Sequence, residues 1–116
     1  MRHCLLLIIA ASLCLPVQAA DTADAEINYL LDFVSGSGCT FIRNGTEHSA
    51  IDAADHLRLK YSRGERYADS AEAFIDRLAS ESSWTGKPYT VRCGDVQETS
   101  ADWLHRALAA HRATPG

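Results

Sequence analysis

Two of the four cysteines in the 116-residue chain, Cys39 and Cys93, constrain its fold most strongly. The other two, Cys4 and Cys14, fall in an apolar N-terminal segment with the marks of a secretory signal. In an oxidising compartment, an even pair of cysteines predicts one disulfide; two buried free thiols are the alternative. A Cys39–Cys93 bridge would join positions 54 residues apart, and in the chain-entropy model it would stabilise the domain by about 4 kcal/mol.

The N-terminal segment has the three parts of a secretory signal peptide. Arg2 is followed by the apolar run from Leu5 to Leu15, and small residues end the segment at Ala19. The apolar run is too short to span a bilayer. We therefore predict a signal peptide at residues 1–19, with cleavage after Ala19 or one residue later, and a single mature globular domain at residues 20–116.

The composition of the mature chain limits its partners. Cleavage after Ala19 leaves 97 residues and removes one charged side chain, Arg2, so the formal charge changes from −4 to −5. An acidic domain without a basic run is a poor ligand for nucleic acids and anionic membrane surfaces. No second long apolar stretch follows the signal, which predicts no membrane insertion after cleavage.

Four segments carry apolar residues at helical spacing. Each begins at a residue suited to cap a helix, with an acid three positions later; the four predicted caps are Asp21, Ser49, Asp69 and Thr99. Gly36 and Gly64 are predicted to end the first and second helices. The predicted core stripes are Ile27, Leu30, Leu31 and Val34; Ala50, Ala53, Ala54, Leu57 and Tyr61; Phe74, Ile75, Leu78 and Ala79; and Trp103, Leu104, Ala107 and Leu108.

Two short segments between the helices, 39–43 and 88–93, have the composition of strands. If they pair antiparallel with Cys39 opposite Cys93, Phe41 faces Val91 and the four residues share one apolar face. The predicted fold class is α+β, with about four helices packed around a two-stranded antiparallel ribbon and one disulfide.

This register gathers polar residues at the end of the ribbon that lies away from the disulfide. The candidate ligand corner consists of Arg43, Asn44, Glu47, His48, Lys87 and Tyr89. Its cations, together with the free amides of a helix start, would suit a carboxylate or phosphate. The alternative is an internal network in which Arg43 or Arg58 pairs with Glu47 and the Asn44-Gly45 step forms a turn.

Metal binding and catalysis find less support. His48 and His56 are too far apart along a helix to share one ion, and Asp52 with His56 supplies only two ligands. A solvent-exposed helix face is the simpler interpretation of Asp52, Asp55 and His56. No nucleophile elbow, zinc-protease motif or phosphate-binding loop is present, and we predict no cofactor and no metal site.

The order of several segments resembles the YfeK-like family of small bacterial envelope proteins. The resemblance is carried by "FIRNGTEH", "HLRLK", "AEAFIDRLAS" and "TGKPYTV" and extends from about Ile27 to Ala110. It implies a Gram-negative periplasmic location and disfavours glycosylation of Asn44. It supplies no activity or catalytic residue.

The sequence therefore favours a small soluble periplasmic protein that acts as a non-catalytic binding or envelope-associated module, with an unknown protein or a small anionic ligand as its partner. One alternative is a small hydrolase or metal-dependent enzyme that uses Glu47, His48 and His56. Another is an inhibitor or immunity protein that presents its acidic surface to a secreted partner.

Overall fold

The computed structural model describes residues 21–114, so the predicted signal peptide lies outside the described residues. The principal elements, in chain order, are α1 (Ala23–Gly36), β1 (Thr40–Arg43), β2 (Thr46–His48), α2 (Ala50–Gly64), α3 (Ala71–Phe74), β3 (Thr90–Cys93), β4 (Val96–Thr99) and α4 (Ser100–Ala113). A 3₁₀ turn, Glu65–Tyr67, follows α2, and α3 continues into a π-helical turn, Ile75–Ala79. The α+β class and the four helices are as predicted.

The helix starts follow capping chemistry. The side chains of Ser49 and Thr99 accept hydrogen bonds from the amides of Asp52 and Asp102, as predicted. At α1 and α3 the cap lies one residue later than predicted: Thr22 and Ser70 accept these bonds instead of Asp21 and Asp69. Three positions after Thr22 and Ser70 stand Ala25 and Ala73, so the requirement for an acid at that position selected the residue before each cap. A hydroxyl caps a helix as well as a carboxylate does.

The sheet has four antiparallel strands in the order β2-β1-β3-β4, so the predicted two-stranded ribbon is wrong in strand number. Each central strand turns back through a two-residue hairpin. Asn44 and Gly45 have φ values of +50° and +78°, and Gly94 has a φ of +60°. Positive φ at these positions is what tight hairpin turns require. The edge strands β2 and β4 have three and four residues and are largely polar, which hides them from an analysis of apolar periodicity.

The central pairing is as predicted. Phe41 pairs with Val91, and the neighbouring pairs keep the same register. The Cys39–Cys93 disulfide closes one end of the two central strands, with the two Cα atoms 4.6 Å apart. The hairpin turn of Asn44 and Gly45 lies at the other end of β1.

The helices cover the sheet face that carries Phe41 and Val91. The four predicted apolar stripes enter one core, in which Tyr61 is only partly buried. The carboxylate of Glu26 is buried beside this core and receives two hydrogen bonds from the Arg112 guanidinium, at 2.7 and 2.8 Å. Arg112 also contacts Glu72, so α4 is tied to both α1 and α3.

Within residues 21–114 no helix is long and apolar enough to cross a bilayer.

Candidate functional site

A groove of about 700 Å³ lies between α2 and the segment that precedes β3. The end of β1 forms its floor through Arg43, and α2 forms one wall through His56, Lys60 and Arg63. These three α2 residues are spaced at i, i+4 and i+7, so they share one helix face. The groove therefore combines a strand end fixed by the central register with a polar stripe of α2.

Four side chains form a continuous polar chain along the groove. The Arg43 Nη1 atom lies 2.8 Å from His56 Nε2 and 3.0 Å from His56 Nδ1. His56 Nε2 lies 3.4 Å from the Tyr89 hydroxyl, which accepts a hydrogen bond from Lys60 Nζ at 3.1 Å. Lys60 also donates to the Glu81 carbonyl at 3.0 Å. Two cations are thus held on either side of a histidine and a buried tyrosine.

This arrangement shifts the pKa values of His56, Lys60 and Tyr89. Burial, followed by the positive charges of Arg43 and Lys60, lowers the pKa of His56. Burial and the charge of Arg43 lower the pKa of Lys60, while Glu81 opposes this change. Burial raises the pKa of Tyr89, against the effect of Arg43. Both nitrogens of His56 lie within 3.0 Å of Arg43 Nη1. A guanidinium has no acceptor, so one of these nitrogens accepts from Arg43, which fits a neutral imidazole.

A smaller chamber of about 110 Å³ continues the groove beneath this chain, between α2 and β1. Its walls are mostly apolar, and they include Phe41 and Leu57. Two buried polar atoms of this chamber, His48 Nε2 and Ser100 Oγ, have no hydrogen-bond partner within the described residues. Ser100 is only 1% exposed. Buried polar groups are normally paired, so these two atoms are exceptions within the described residues.

The structure brings together part of the predicted ligand corner. Arg43, Asn44, His48 and Tyr89 line the groove. Asn44 reaches the opposite loop directly: its Nδ2 donates to Ser82 Oγ at 3.2 Å, and its Oδ1 accepts from the Thr85 hydroxyl at 2.7 Å. The prediction that the two loops meet at this end of the sheet is therefore consistent with the contacts.

Two predicted corner residues lie elsewhere. Glu47 follows strand alternation onto the opposite face of the sheet from His48, where it forms a 2.8 Å ion pair with Arg92. Lys87 is exposed and is not among the groove-lining residues. In the alternative interpretation Glu47 would pair with Arg43 or Arg58, but its partner is Arg92, and Arg58 pairs with Asp32 and Asp55. The cause is that residues 46–48 form the unpredicted strand β2, in which the side chains of Glu47 and His48 point to opposite faces of the sheet.

The α2 wall of the groove was not predicted from the sequence. The pattern of α2 favoured a solvent-exposed face for His56, and nothing in it singled out Lys60 or Arg63, which line the groove with the loop residue Trp84. The i, i+4, i+7 spacing of His56, Lys60 and Arg63 was a visible signal. Such a polar stripe is typical of any exposed helix face, so spacing alone does not distinguish the two cases.

The three residues of the enzyme alternative, Glu47, His48 and His56, do not lie together. His48 and His56 both line the groove, but Glu47 lies across the sheet in its pair with Arg92. Within residues 21–114 no group of three or more histidine, cysteine or acidic side chains is placed to hold a metal ion.

Comparison with known proteins gives a family without an assigned activity. The model of a family of unknown function (DUF5329) matches residues 21–112. The chain is also similar to the uncharacterized protein YfeK of Salmonella typhimurium (strain LT2), with 41% identity over 92 residues that cover 77% of each chain. No solved structure matches the chain.

Proposed function

Because the chain belongs to this family of unknown function, we propose its function from the site: it is a non-catalytic binding module that holds a small anionic ligand in the groove between α2 and the segment before β3. The proposal includes a periplasmic location, which the predicted signal peptide and the disulfide support. The ligand carries a carboxylate, phosphate or sulfate group, and Arg43 and Lys60 are its principal contacts.

One observation supports the proposal above all others. Arg43, Lys60 and Arg63 line one groove, and within residues 21–114 none of them has a carboxylate oxygen within 4.0 Å. Four other arginines are paired with acids: Arg58, Arg92, Arg106 and Arg112. Among the described residues, Arg66, Arg77 and Lys87 also have no acidic partner, but they are exposed, whereas Arg43 and Lys60 are half-buried. A concentration of unpaired cations in a chain of net charge −4 opposes the overall charge. An anion in the groove would relieve their mutual repulsion.

Partial burial makes this arrangement costly without a ligand. Lys60 and His56 are both half-buried, and both have a lowered pKa because burial and neighbouring positive charge disfavour their charged forms. A bound anion adds the opposite charge, which strengthens charge-assisted hydrogen bonds from Arg43 and Lys60. Folded proteins tolerate such unfavourable local electrostatics mainly at functional sites.

The chamber beneath the groove also favours a ligand. It shares Arg43, His48, His56 and Tyr89 with the groove, and its walls are mostly apolar. A ligand with its anionic group on Arg43 could therefore place a small apolar substituent in the chamber. The groove and the chamber together are of the size usual for small-molecule sites.

Sulfate is a suitable probe because its charge stays constant across the pH range in which histidine titrates. We expect an NMR titration of the described domain with sulfate to perturb the signals of Arg43, His56 and Lys60. Arg43→Gln removes the floor cation without changing the backbone, and we expect it to weaken sulfate binding about tenfold or more, as loss of a charged hydrogen bond does.

Arg92→Gln is the matched control. It removes an arginine of the same sheet, but one that is paired with Glu47 on the opposite face. Sulfate affinity should be nearly unchanged in this variant. Equal weakening by Arg43→Gln and Arg92→Gln would indicate nonspecific electrostatics and would refute the proposal, as would the absence of localised shifts in the unmodified protein.

A further inference from the structure

Trp84 is the most exposed large apolar residue among residues 21–114, with 96% of its surface accessible. It lines the same groove as Arg43 and Lys60. Tryptophan is normally well buried because its large apolar surface is costly to hydrate. The other tryptophan, Trp103, follows this rule at 7% exposure.

The loop that carries Trp84 is held in place by hydrogen bonds. The buried Ser82 hydroxyl accepts from the amides of Trp84 and Thr85, at 3.3 and 3.4 Å, and from Asn44 Nδ2. The Ser82 backbone bonds to Gly86 and Lys87, at 2.9 and 3.0 Å. These bonds fix the backbone on both sides of the indole while leaving the ring in solvent. A rigid loop with an uncovered aromatic ring is preorganised for stacking.

The size of the groove indicates a ligand larger than a simple anion. About 700 Å³ lies between the cations and the loop, far more than one sulfate or phosphate group occupies. The rim near the indole offers hydroxyl and amide groups, from Thr46, Ser83 and Asn44. An exposed indole, a rim with hydroxyl groups and nearby cations match a sugar ring with an acidic substituent.

We propose that the anionic ligand is an acidic carbohydrate, whose sugar ring stacks on Trp84 while its carboxylate or phosphate group contacts Arg43 and Lys60. This inference rests on the anion-binding function proposed above and adds that the anionic ligand contains a sugar ring. An acidic peptide would use the cations equally well, but it has no specific need for an exposed indole beside short hydroxyl side chains.

The test compares trigalacturonate with the neutral trisaccharide maltotriose and with triglutamate, using the full mature protein. Tryptophan fluorescence is a direct readout because Trp84 is exposed and Trp103 is buried. We expect trigalacturonate to change the Trp84 emission and to bind at least about fivefold more tightly than either maltotriose or triglutamate. The margin over triglutamate is in the range of one aromatic stacking contact, and the margin over maltotriose comes from the charged hydrogen bonds of Arg43 and Lys60.

Two variants assign the gain to the indole. Trp84→Ala should remove the preference for trigalacturonate over triglutamate, and Trp84→Phe should restore part of this preference. Since Trp84 is exposed, neither change should unfold the protein. Equal affinity for triglutamate and trigalacturonate, or an unaltered preference in Trp84→Ala, would refute the carbohydrate inference while sulfate binding kept the proposed function intact. Failure of both sulfate and trigalacturonate to bind would refute the proposed function itself.

Discussion

The Nη1 atom of Arg43 lies 2.8 Å from the Nε2 atom of His56, and this contact joins the central sheet to the polar face of α2. A permanent cation at this distance opposes protonation of the imidazole. Burial of the ring is the largest cause of its lowered pKa, Lys60 and His48 add to the effect of Arg43, and the hydroxyl of Tyr89 lies 3.4 Å from His56 Nε2. The contact therefore links the protonation of His56 to the charge state of the groove.

This link predicts a loss of stability in mild acid. The pKa of His56 is lowered from its ordinary value of 6.5 in the folded protein, so the unfolded chain binds the proton first. The free energy of unfolding should therefore decrease as the pH falls below 6.5. Urea unfolding of the mature protein between pH 7 and pH 5 measures this change, and His56→Gln should remove part of it. Identical pH profiles for the two proteins would contradict the expectation.

Arg112→Ala should lower the free energy of unfolding by about 1–3 kcal/mol, because it leaves the buried Glu26 carboxylate without its two charged hydrogen bonds. Arg106→Ala is the control: the Arg106 side chain is 65% exposed, and exposed ion pairs contribute little, so the loss should be much smaller. Chemical unfolding at pH 7 compares the two variants. A larger loss in Arg106→Ala would contradict this assignment.

The pKa of Glu26 also gives a separate signature in strong acid. Arg112 holds this pKa below its ordinary value of 4.5, so the carboxylate contributes stability above pH 4.5 that is lost as the pH falls through the lowered pKa. Arg112→Ala should flatten the stability profile in this range. The loss between pH 7 and pH 5 that belongs to His56 should persist in the variant.

Replacement of Cys39 and Cys93 by alanine should lower the free energy of unfolding by about 2–4 kcal/mol. The disulfide lies at the opposite end of β1 from Arg43, so the affinity for sulfate should stay the same in any fraction that remains folded. Mass analysis under non-reducing conditions should find the two cysteines in one linked peptide. Two alkylatable thiols in the natively secreted protein would contradict the bridge.

Asn44→Gly should detach the Trp84 loop without disturbing the hairpin. Glycine accepts the φ of +50° found at this position, but it loses the bonds to Ser82 and Thr85. We expect a global destabilisation of about 1 kcal/mol, together with faster amide hydrogen exchange at Gly86. Unchanged exchange at Gly86 would show that Asn44 does not hold the loop.

The sequence predicted those features that depend on strong local patterns. Helix ends at Gly36 and Gly64 and the pairing of Phe41 with Val91 follow from caps, apolar spacing and the cysteine pair. The edge strands β2 and β4 were missed because they are short and polar and are stabilised by pairing with β1 and β3. The Asn44-Gly45 step is a strong hairpin signal that was interpreted as a turn before a helix.

The same reasons explain how much of the site was predictable. The central register placed Arg43 and Tyr89 at one end of the sheet, and both line the groove. Glu47 was misplaced because a strand sends adjacent side chains to opposite faces. Lys60 and Trp84 could not be selected from sequence, since their role depends on the tertiary contacts that bring α2 and the loop together.

The pKa of His56, measured by NMR of its ring protons with and without sulfate, tests anion binding in the groove most directly. An anion on Arg43 and Lys60 offsets the positive charge that faces the imidazole, so it must favour the protonated ring. We expect saturating sulfate to raise the pKa of His56 toward 6.5, and we expect the increase to disappear in Arg43→Gln. A His56 pKa that does not change with sulfate would contradict the account.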